Sequence, residues 1–303
     1  MSLEIVNPGI QSLVQDAGRF GMARYGIPRS GAFDRAAWQL ANDLVGNWTP
    51  GEYEANSGPA ALEVLFGGLR VQAHGELVVA VTGAQVPIAI LDVDSDDKRI
   101  VANNRAFVLT AGSRLHLGTA KAGLRAYLAI AGGLDVEPTL GSRSSDINSG
   151  LGPPPLKKGQ MLRTGLANGP RRNAPPDDWD LTDRPVTIQI RPGPQLDALE
   201  GRYDALTNAT TWLVSPTSGR SGIRLTPKNL AARARTTAAG LPSEPTLNGA
   251  VQALPSGELV VLGPDGPTTG GYPVVGVIDQ AGINMLAQAR PGAELRLTMS
   301  ESE

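Results

Sequence analysis

Short runs in which apolar and polar residues alternate dominate the chain. Such runs lie at residues 62–66, 77–81, 106–109, 125–131, 186–190, 259–262 and 294–297. They are bounded by Gly, Pro, Asn or Ser, which is typical of strands joined by tight turns. The 37 glycines and 24 prolines of the chain fit a fold with many such turns.

A helical period appears in two segments. Over residues 34–45 the apolar positions recur at i, i+3, i+4, i+7 and i+8, which predicts a helix with one buried face. Asp34 is the expected N-cap, and the Gly-Asn pair at 46–47 is the expected end. A shorter helix is predicted over 282–289, after a cap at Asp279 and before Arg-Pro-Gly. Many short strands with few helices predict a mainly β protein built of barrels or sandwiches.

The length of the chain predicts two domains, because 303 residues exceed the usual size of one. The segment 165–184 is rich in Pro, Asn and charge and has no apolar period, as expected of a linker. We therefore expect a β-rich domain over 1–165, a linker over 166–184 and a second domain over 185–303.

Composition excludes several classes of function. The net charge of −2, with 27 basic and 29 acidic residues, gives no electrostatic reason to expect nucleic acid or a membrane as partner. The chain has no cysteine, which excludes thiolate nucleophiles and thiolate metal sites. Its histidines, His74 and His116, lie in strand-like runs without a partner motif, so we expect structural roles and no metal site. The chain begins without a signal-peptide pattern and contains no bilayer-length apolar run, so we expect a cytoplasmic protein.

The first of four polar clusters spans residues 15–34. It sets Asp16, Arg19, Tyr25, Ser30 and Asp34 among glycines, just before the predicted helix start. The free N–H groups of a helix N-terminus favour an anion. The alternative interpretation is a surface loop in which Ser and Asp only cap the helix.

The second cluster lies at 131–146. Ser142, Arg143, Ser144, Ser145 and Asp146 offer hydroxyls, a guanidinium and a carboxylate within five residues. Such a set suits an oxyanion or a phosphate. A turn rich in Ser and Asp is the alternative.

The third cluster lies at 218–224 and holds Ser218, Arg220 and Arg224. In an extended segment both arginines would point to one face and could clamp one anion. The alternative is two solvated charges.

The fourth cluster lies at 265–273, where Thr268 and Thr269 precede two glycines and Tyr272. Hydroxyls and backbone N–H groups are presented together there. The segment lacks the Lys and the spacing of a P-loop, so a simple turn is the alternative.

Taken in order, these clusters and the runs between them resemble a known family. The motifs are VQDAGR at 14–19, GIPRSGAFD at 26–34, ANDLVGN at 41–47, ALEV at 61–64, AGGL at 131–134, LGSRSSD at 140–146, RPGPQ at 191–195, SGRSGIRL at 218–225, TTGGYP at 268–273 and LAQARPG at 286–292. The ordered set is similar to allophanate hydrolase subunit 2. That family is also called the 5-oxoprolinase C subunit, the Kip antagonist, and the C-terminal half of a urea-carboxylase carboxyltransferase domain. The chain departs from it at Pro154, Pro155 and Gln160, where the family carries a Gly-Arg pair and an acidic residue, and at Ser145, where it carries Thr.

The resemblance implies cyclophilin-like β-barrel domains, one of them C-terminal, and an active site shared with a partner. The implied partner is allophanate hydrolase subunit 1, which is the 5-oxoprolinase B subunit or a Kip inhibitor-like protein. A LamB/YcsF-type protein is a further candidate. The implied substrate is a small amide, with ATP and Mg acting at the level of the complex.

The implied function is ATP-dependent opening of 5-oxoproline to glutamate. One alternative is carboxyl transfer in a biotin-dependent urea carboxylase; the chain has no Met-Lys biotinylation site, so another protein would carry the biotin. A second alternative is a non-catalytic antagonist that binds a kinase-inhibitor partner. Because the chain lacks a recognised nucleophile motif, we expect negligible turnover of amides by the chain alone.

Residue chemistry then suggests roles within this composite site. The predicted anion holders are Arg143, Arg220 and Arg224, and the predicted proton carriers are Asp34 and Asp146. The predicted substrate-binding residues are Tyr25, Ser30, Ser142, Ser218, Thr268, Thr269 and Tyr272. We expect the four clusters to bring at least some of these side chains into shared pockets.

Overall fold

The computed structural model describes residues 1–47, 58–92, 98–165, 186–201, 204, 206–207, 211–229, 236 and 241–300. These residues form strands β1 to β20, two α-helices and two short 3-10 helices, Ala23–Tyr25 and Leu196–Ala198. The prediction of a mainly β fold with few short helices is confirmed. All the alternating runs named above lie within or overlap strands.

The chain divides into two compact units. One comprises Met1–Phe20 and Ser30–Thr182, and the other comprises Gly21–Arg29 and Asp183–Glu303. The predicted linker at 166–184 lies outside the described residues. Among the described helices, none is both long and apolar enough to cross a membrane.

Two antiparallel sheets form the first unit. One has the order β11-β1-β4-β9-β6-β7 and the other β2-β3-β10-β5-β8. The strands of the first sheet are β1 Ser2–Pro8, β4 Leu69–His74, β6 Ile88–Leu91, β7 Lys98–Val101, β9 Arg114–Leu117 and β11 Met161–Arg163. Those of the second are β2 Gln11–Gln15, β3 Ala61–Leu65, β5 Leu77–Gln85, β8 Ala106–Leu109 and β10 Ala122–Ile130.

The two sheets pack their apolar faces together. In β4, for example, Leu69, Val71 and Ala73 are buried in the common core, while Arg70 and His74 point outward. The second sheet is buried on its other face as well, because helix α1 (Arg35–Leu44) packs Trp38 and further apolar side chains against β3, β5 and β10. Burial on both faces explains why β5 and β10 are nearly continuous apolar runs rather than strictly alternating ones.

Both predicted helices are confirmed. Asp34 caps α1, since its Oδ1 accepts a hydrogen bond from Ala37 N at 2.9 Å. The helix ends before Gly46, whose φ of 77° is the left-handed conformation expected there. Helix α2 (Gln280–Gln288) begins earlier than predicted, and its cap Asp279 accepts from Gly282 N at 2.9 Å.

The second unit contains a closed barrel of seven strands with the order β12-β19-β16-β17-β14-β13-β20. The barrel closes through the parallel pairing of β12 with β20. Its strands are β12 Val186–Pro192, β13 Trp212–Val214, β14 Gly222–Pro227, β16 Ala250–Ala253, β17 Leu259–Leu262, β19 Val274–Ile278 and β20 Glu294–Met299. A separate ribbon pairs β15 (Glu244–Pro245) with β18 (Thr269–Gly270).

The histidines lie on strands, as the sequence predicts. His74 Nε2 in β4 is 3.0 Å from Glu4 Oε2, and His116 Nε2 in β9 accepts from Arg70 Nε at 3.2 Å. Burial, followed by the nearby charges of Arg70 and Lys98, lowers the pKa of His116. Among the residues that the structure describes, no group of three or more His, Asp or Glu side chains could hold a metal ion.

Candidate functional site

A fully buried carboxylate, Asp16, joins the first two polar clusters. Its Oδ1 accepts from Ser142 Oγ at 2.6 Å and Ser144 Oγ at 2.5 Å. Its Oδ2 accepts from the Arg143 backbone N at 2.6 Å, and its backbone O accepts from Ala32 N at 2.8 Å. Charged acceptors make the stronger hydrogen bonds in proteins. Asp16 therefore fixes the segment 142–144 beside the loop that precedes α1.

Arg19 holds the other side of the second cluster. Its Nη2 donates to Ser144 O at 2.5 Å and its Nε to Thr139 O at 3.2 Å. Between these carbonyls, Leu140 has a φ of 51°, a conformation that non-glycine residues adopt rarely. The turn at 139–146 is thus over-determined by contacts that begin more than a hundred residues earlier in the chain.

Arg143 is anchored at one edge of its guanidinium. Its Nε donates to Val136 O at 2.8 Å, and the side chain is partly buried. Among the described residues no carboxylate lies within ion-pair distance of it. A guanidinium carries five N–H donors in a fixed fork, so the two terminal nitrogens of Arg143 remain for another anion.

Two hydroxyls beside this network are buried and have no hydrogen-bond partner among the described residues. Ser30 is 3% exposed and Ser145 is 1% exposed, and the Oγ of each lacks a partner. Ser30 also has a φ of 55°. The next residue must be glycine, because a methyl group on Gly31 would lie 2.9 Å from Ala17 C and from Gly18 N. The structure thus places the predicted substrate-binding residue Ser30 on a strained loop against residues 17–18.

A second buried network holds the start of α1. Tyr127 OH donates to Glu63 Oε2 at 2.8 Å and accepts from Asp34 N at 2.8 Å. Phe33 N donates to the same Glu63 oxygen at 3.0 Å, and the Arg125 guanidinium lies 4.6 Å from the centroid of the Phe33 ring. Burial, followed by the charges of Glu63 and Asp34, raises the pKa of Tyr127 well above its ordinary value. The phenol is therefore neutral and can donate at neutral pH.

Apart from Asp34, the residues of this second network, Glu63, Tyr127 and Arg125, were not singled out from the sequence. Glu63 and Arg125 are charged residues within otherwise apolar strands, β3 and β10, and both are only 4% exposed. They form an ion pair, with 3.6 Å between Arg125 Nε and Glu63 Oε1. A charged residue at a buried strand position is the signal in the sequence that would have identified them.

The two predicted proton carriers hold local structure. Asp34 caps α1, and Asp146 Oδ1 accepts from Asn148 N at 3.0 Å and Ser149 N at 3.3 Å. Asp146 Oδ2 also accepts from Ser149 Oγ at 2.6 Å. The structure therefore gives each carboxylate the capping or turn role that was the alternative interpretation. A role in proton transfer stays a prediction.

The extended arrangement that would let Arg220 and Arg224 share one face and clamp one anion does not form. Strand β14 begins at Gly222, so Arg220 lies in the preceding turn. Its Nε and Nη2 bind Asp265 Oδ2 at 2.7 Å and Oδ1 at 2.9 Å in a buried bidentate pair. Arg224 instead binds Glu258 Oε2 at 2.9 Å on the outside of the barrel. Each arginine has its own carboxylate, because the turn at 219–222 separates their directions.

Burial acts to raise the pKa of Glu258, but hydrogen bonds from Ser256 and Arg224 outweigh it, and the pKa lies below its ordinary value. Ser218 belongs to the same turn, since its Oγ accepts from Arg224 N at 3.0 Å. Its hydroxyl thus fixes the start of β14.

The remaining predicted binding residues lie on exposed segments. Tyr25 is 64% exposed in the short helix Ala23–Tyr25, with the Arg24 guanidinium 4.8 Å from its ring centroid. Thr268 O accepts from Thr246 N at 2.9 Å, Thr269 belongs to the β15/β18 ribbon, and Tyr272 is 49% exposed. The structure thus joins the start of the first cluster to the second through Asp16 and Arg19 within one unit. It places Tyr25 and the third and fourth clusters in the other unit.

The family model described as carboxyltransferase domain, subdomain A and B, matches residues 25–299. The chain belongs to this family. The resemblance inferred from the ordered motifs is thereby confirmed.

Relatives of two kinds match nearly the whole chain. The 5-oxoprolinase C subunit of Escherichia coli K12 is 34% identical over 304 residues, which cover 99% of this chain and 92% of that protein. The 5-oxoprolinase C subunit of Haemophilus influenzae is 29% identical, and the match covers 97% of this chain and 90% of that protein. The urea amidolyase of Lachancea kluyveri is 30% identical over 97% of this chain, which spans only 17% of that enzyme.

Solved structures agree with this assignment. Crystal structures of the protein TTHA0988 include one with a TM-score of 0.82 at 31% identity, which covers 98% of this chain and 55% of that chain. The K. lactis urea amidolyase gives a TM-score of 0.82 at 29% identity, with 98% of this chain and 18% of that chain covered. This chain thus spans about half of the one solved protein and less than a fifth of the other. By their names, the matched 5-oxoprolinase C subunits are parts of an enzyme and the urea amidolyases are enzymes.

Proposed function

We propose that this chain is one subunit of an ATP-dependent 5-oxoprolinase that opens 5-oxoproline to glutamate. The observation that carries the proposal is the 34% identity to the 5-oxoprolinase C subunit of E. coli over 99% of this chain and 92% of that protein. The letter in that protein's name implies further subunits. We propose the 5-oxoprolinase B subunit as the partner that completes the active site, with a LamB/YcsF-type protein as a third component.

The chemistry of the reaction requires a group that holds negative charge. An amide is unreactive, and transfer of a phosphoryl group from ATP to the amide oxygen activates its carbon. Water then adds to that carbon, the ring C–N bond breaks as the nitrogen takes up a proton, and a second water releases phosphate from the resulting acyl phosphate. Charge develops on the oxygens throughout, so fixed donors stabilise the transition states.

Arg143 is the arginine best suited to hold this charge. Arg220 and Arg224 are already paired with Asp265 and Glu258, whereas no described carboxylate pairs with Arg143. The Asp16 contacts hold the backbone of Arg143, and Val136 O fixes its Nε. We propose that the terminal nitrogens of Arg143 bind a phosphate or carboxylate group of the reacting molecules in the assembled complex.

A reconstitution experiment tests this proposal. The chain is co-expressed with the 5-oxoprolinase B subunit and the LamB/YcsF-type protein, and glutamate and ADP formed from 5-oxoproline and ATP are measured. We expect coupled formation of both products by the full set, and none when this chain is omitted or is present alone. Unchanged activity of the other subunits without this chain would refute the proposal.

Carboxyl transfer is the second candidate function. The description of the family model as a carboxyltransferase domain and the match to urea amidolyases favour it. In that case the substrates are urea and a carboxylated biotin carrier on another protein. Transfer of labelled carboxylate to urea by the reconstituted complex, without 5-oxoproline turnover, would select this candidate instead.

A further inference from the structure

A buried glutamine on the outside of the barrel has a side-chain nitrogen without a hydrogen-bond partner among the described residues. Gln252 lies in β16, is 5% exposed, and its Nε2 is buried without an acceptor among the described residues. In register it faces Val260 of β17 and Val274 of β19, so these valines flank it on the same outer face. Buried amide groups are nearly always hydrogen-bonded, because an unpaired one loses its bonds to water.

The β15/β18 ribbon covers this amide. A methyl group on Gly270 would lie 2.6 Å from Gln252 Nε2, with Thr246 Cγ2 next at 3.2 Å, so the absence of a side chain at Gly270 lets the amide pack directly under the ribbon backbone. Among the described residues, the ribbon is held outside its strand pairing by hydrogen bonds of Thr246 and Glu244. Thr246 donates to Thr268 O at 2.9 Å and to Pro267 O. Gln195 Nε2, just before the short helix Leu196–Ala198, donates to Glu244 Oε2 at 2.7 Å. A two-stranded ribbon with only two residues in each strand has little stability of its own.

We propose that the ribbon is a lid over a binding site in which Gln252 recognises the cis-amide edge of a lactam or of urea. A lactam ring holds its C=O and N–H on one edge, and urea presents the same edge. The carboxamide of glutamine offers one N–H donor and one C=O acceptor with matching spacing, so two parallel hydrogen bonds form. Val260 and Val274 would contact the apolar part of the ring. The choice of a lactam or urea as ligand rests on the proposed function. The unpaired Nε2 of Gln252 and the ribbon that covers it are observations that do not depend on that function.

Binding of γ-butyrolactam to the full chain tests the site without any turnover. We expect the ligand to shift the side-chain amide resonances of Gln252 in a proton–nitrogen correlation spectrum. The N-methyl derivative lacks the N–H, and we expect it to bind wild type at least about tenfold more weakly than γ-butyrolactam does. We expect the same loss when γ-butyrolactam binds Gln252→Met, because each change removes a directed hydrogen bond. Equal binding by wild type and Gln252→Met, or no shift of Gln252, would overturn the proposal.

A matched pair of glycine variants tests the cover. Gly270→Ala places a methyl group against Gln252 Nε2, whereas on Gly271 a methyl group meets Leu241 O at 3.2 Å. Neither glycine has a positive φ. We expect Gly270→Ala to weaken lactam binding at least about tenfold and Gly271→Ala less than about twofold. Similar binding by both variants would contradict a site beneath the ribbon.

Kinetic measurements on the reconstituted complex can show whether this site or the proposed function is wrong. If the complex turns over 5-oxoproline, Gln252→Met should raise KM with little change in kcat, because recognition is lost and chemistry is not. An unchanged KM would refute the site while leaving the function intact. If the complex does not turn over 5-oxoproline but lactam still shifts Gln252, the function fails and the site stands.

Discussion

The two units of this chain use arginine, serine and glycine in different ways. In the first, segments 126 residues apart meet at Asp16, which binds hydroxyls and a backbone N–H and leaves the Arg143 guanidinium without a described carboxylate. In the second, Arg220 and Arg224 each bind a carboxylate of their own. The two regions look alike in sequence. The comparison teaches that an arginine in such a cluster is available to an external anion only where no neighbouring carboxylate already binds its guanidinium.

Removal of Asp16 should have the largest effect on stability. Asp16→Ala removes the acceptor of the Ser142 and Ser144 hydroxyls and of the backbone N–H groups of Gly18 and Arg143, so we expect a loss of about 4 kcal/mol in the free energy of unfolding. Denaturant unfolding measures it. The exposed Asp135, replaced by alanine, serves as the control and should change stability by less than about 0.5 kcal/mol. Similar values for both variants would show that Asp16 does not organise the first unit.

Substitution of Arg220 tests how much its buried ion pair with Asp265 stabilises the second unit. Because Arg220→Ala removes both hydrogen bonds that the guanidinium donates to the buried Asp265, we expect a loss of about 3 kcal/mol in the free energy of unfolding. Arg220→Lys keeps the charge but loses the bidentate fork, and should recover less than half of that loss. Thermal unfolding of wild type, Arg220→Lys and Arg220→Ala measures whether stability falls in that order. Full recovery by lysine would mean that charge alone matters there.

Tyr127→Phe should cost about 1–2 kcal/mol near pH 8, because the hydrogen bonds to Glu63 and from Asp34 N are lost. The raised pKa of Tyr127 gives a pH dependence. Its contribution to stability is complete below the unfolded pKa of about 10 and is lost as the pH rises toward the higher folded pKa. The stability difference between wild type and Tyr127→Phe should therefore shrink above about pH 10. A difference that stays constant in unfolding curves across this range would contradict the assigned shift.

The smallest effect is expected at Arg224. Its side chain is 39% exposed, so Arg224→Ala should cost less than about 1 kcal/mol. The lowered pKa of Glu258 implies that its part of the stability is present above the unfolded pKa of about 4.3 and is lost as the pH falls below it. Arg224→Ala should reduce this acid dependence. A cost as large as that of Arg220→Ala would remove the contrast between the buried and the exposed pair.

Local patterns account for what the sequence analysis predicted correctly. Strand runs, both helices and the caps Asp34 and Asp279 depend on residues only a few positions apart, so periodicity and capping rules reach them. The motifs around Ser142 and Ser218 were located for the same reason. Their contacts were not predicted, because the partners Asp16 and Asp265 are 126 and 45 residues away in the chain.

Two features lay beyond any local pattern. The position of Arg220 depends on a turn that ends only at Gly222, so the sequence left open whether the whole segment is extended. Gln252 stands in a short apolar strand, where a single polar residue usually faces solvent. Its burial results from the ribbon at 269–270, whose position over β16 is a tertiary contact.

The most direct test of the account is the rate of ATP-dependent glutamate formation by the reconstituted complex that carries Arg143→Ala in this chain. The account predicts that the complex still assembles and loses at least about 100-fold in kcat, as for removal of one charge-stabilising donor. Arg224→Ala in the same assay should retain nearly full activity, since its guanidinium already binds Glu258. Full activity of the Arg143→Ala complex would contradict the claim that this chain contributes an anion-binding group to a composite active site.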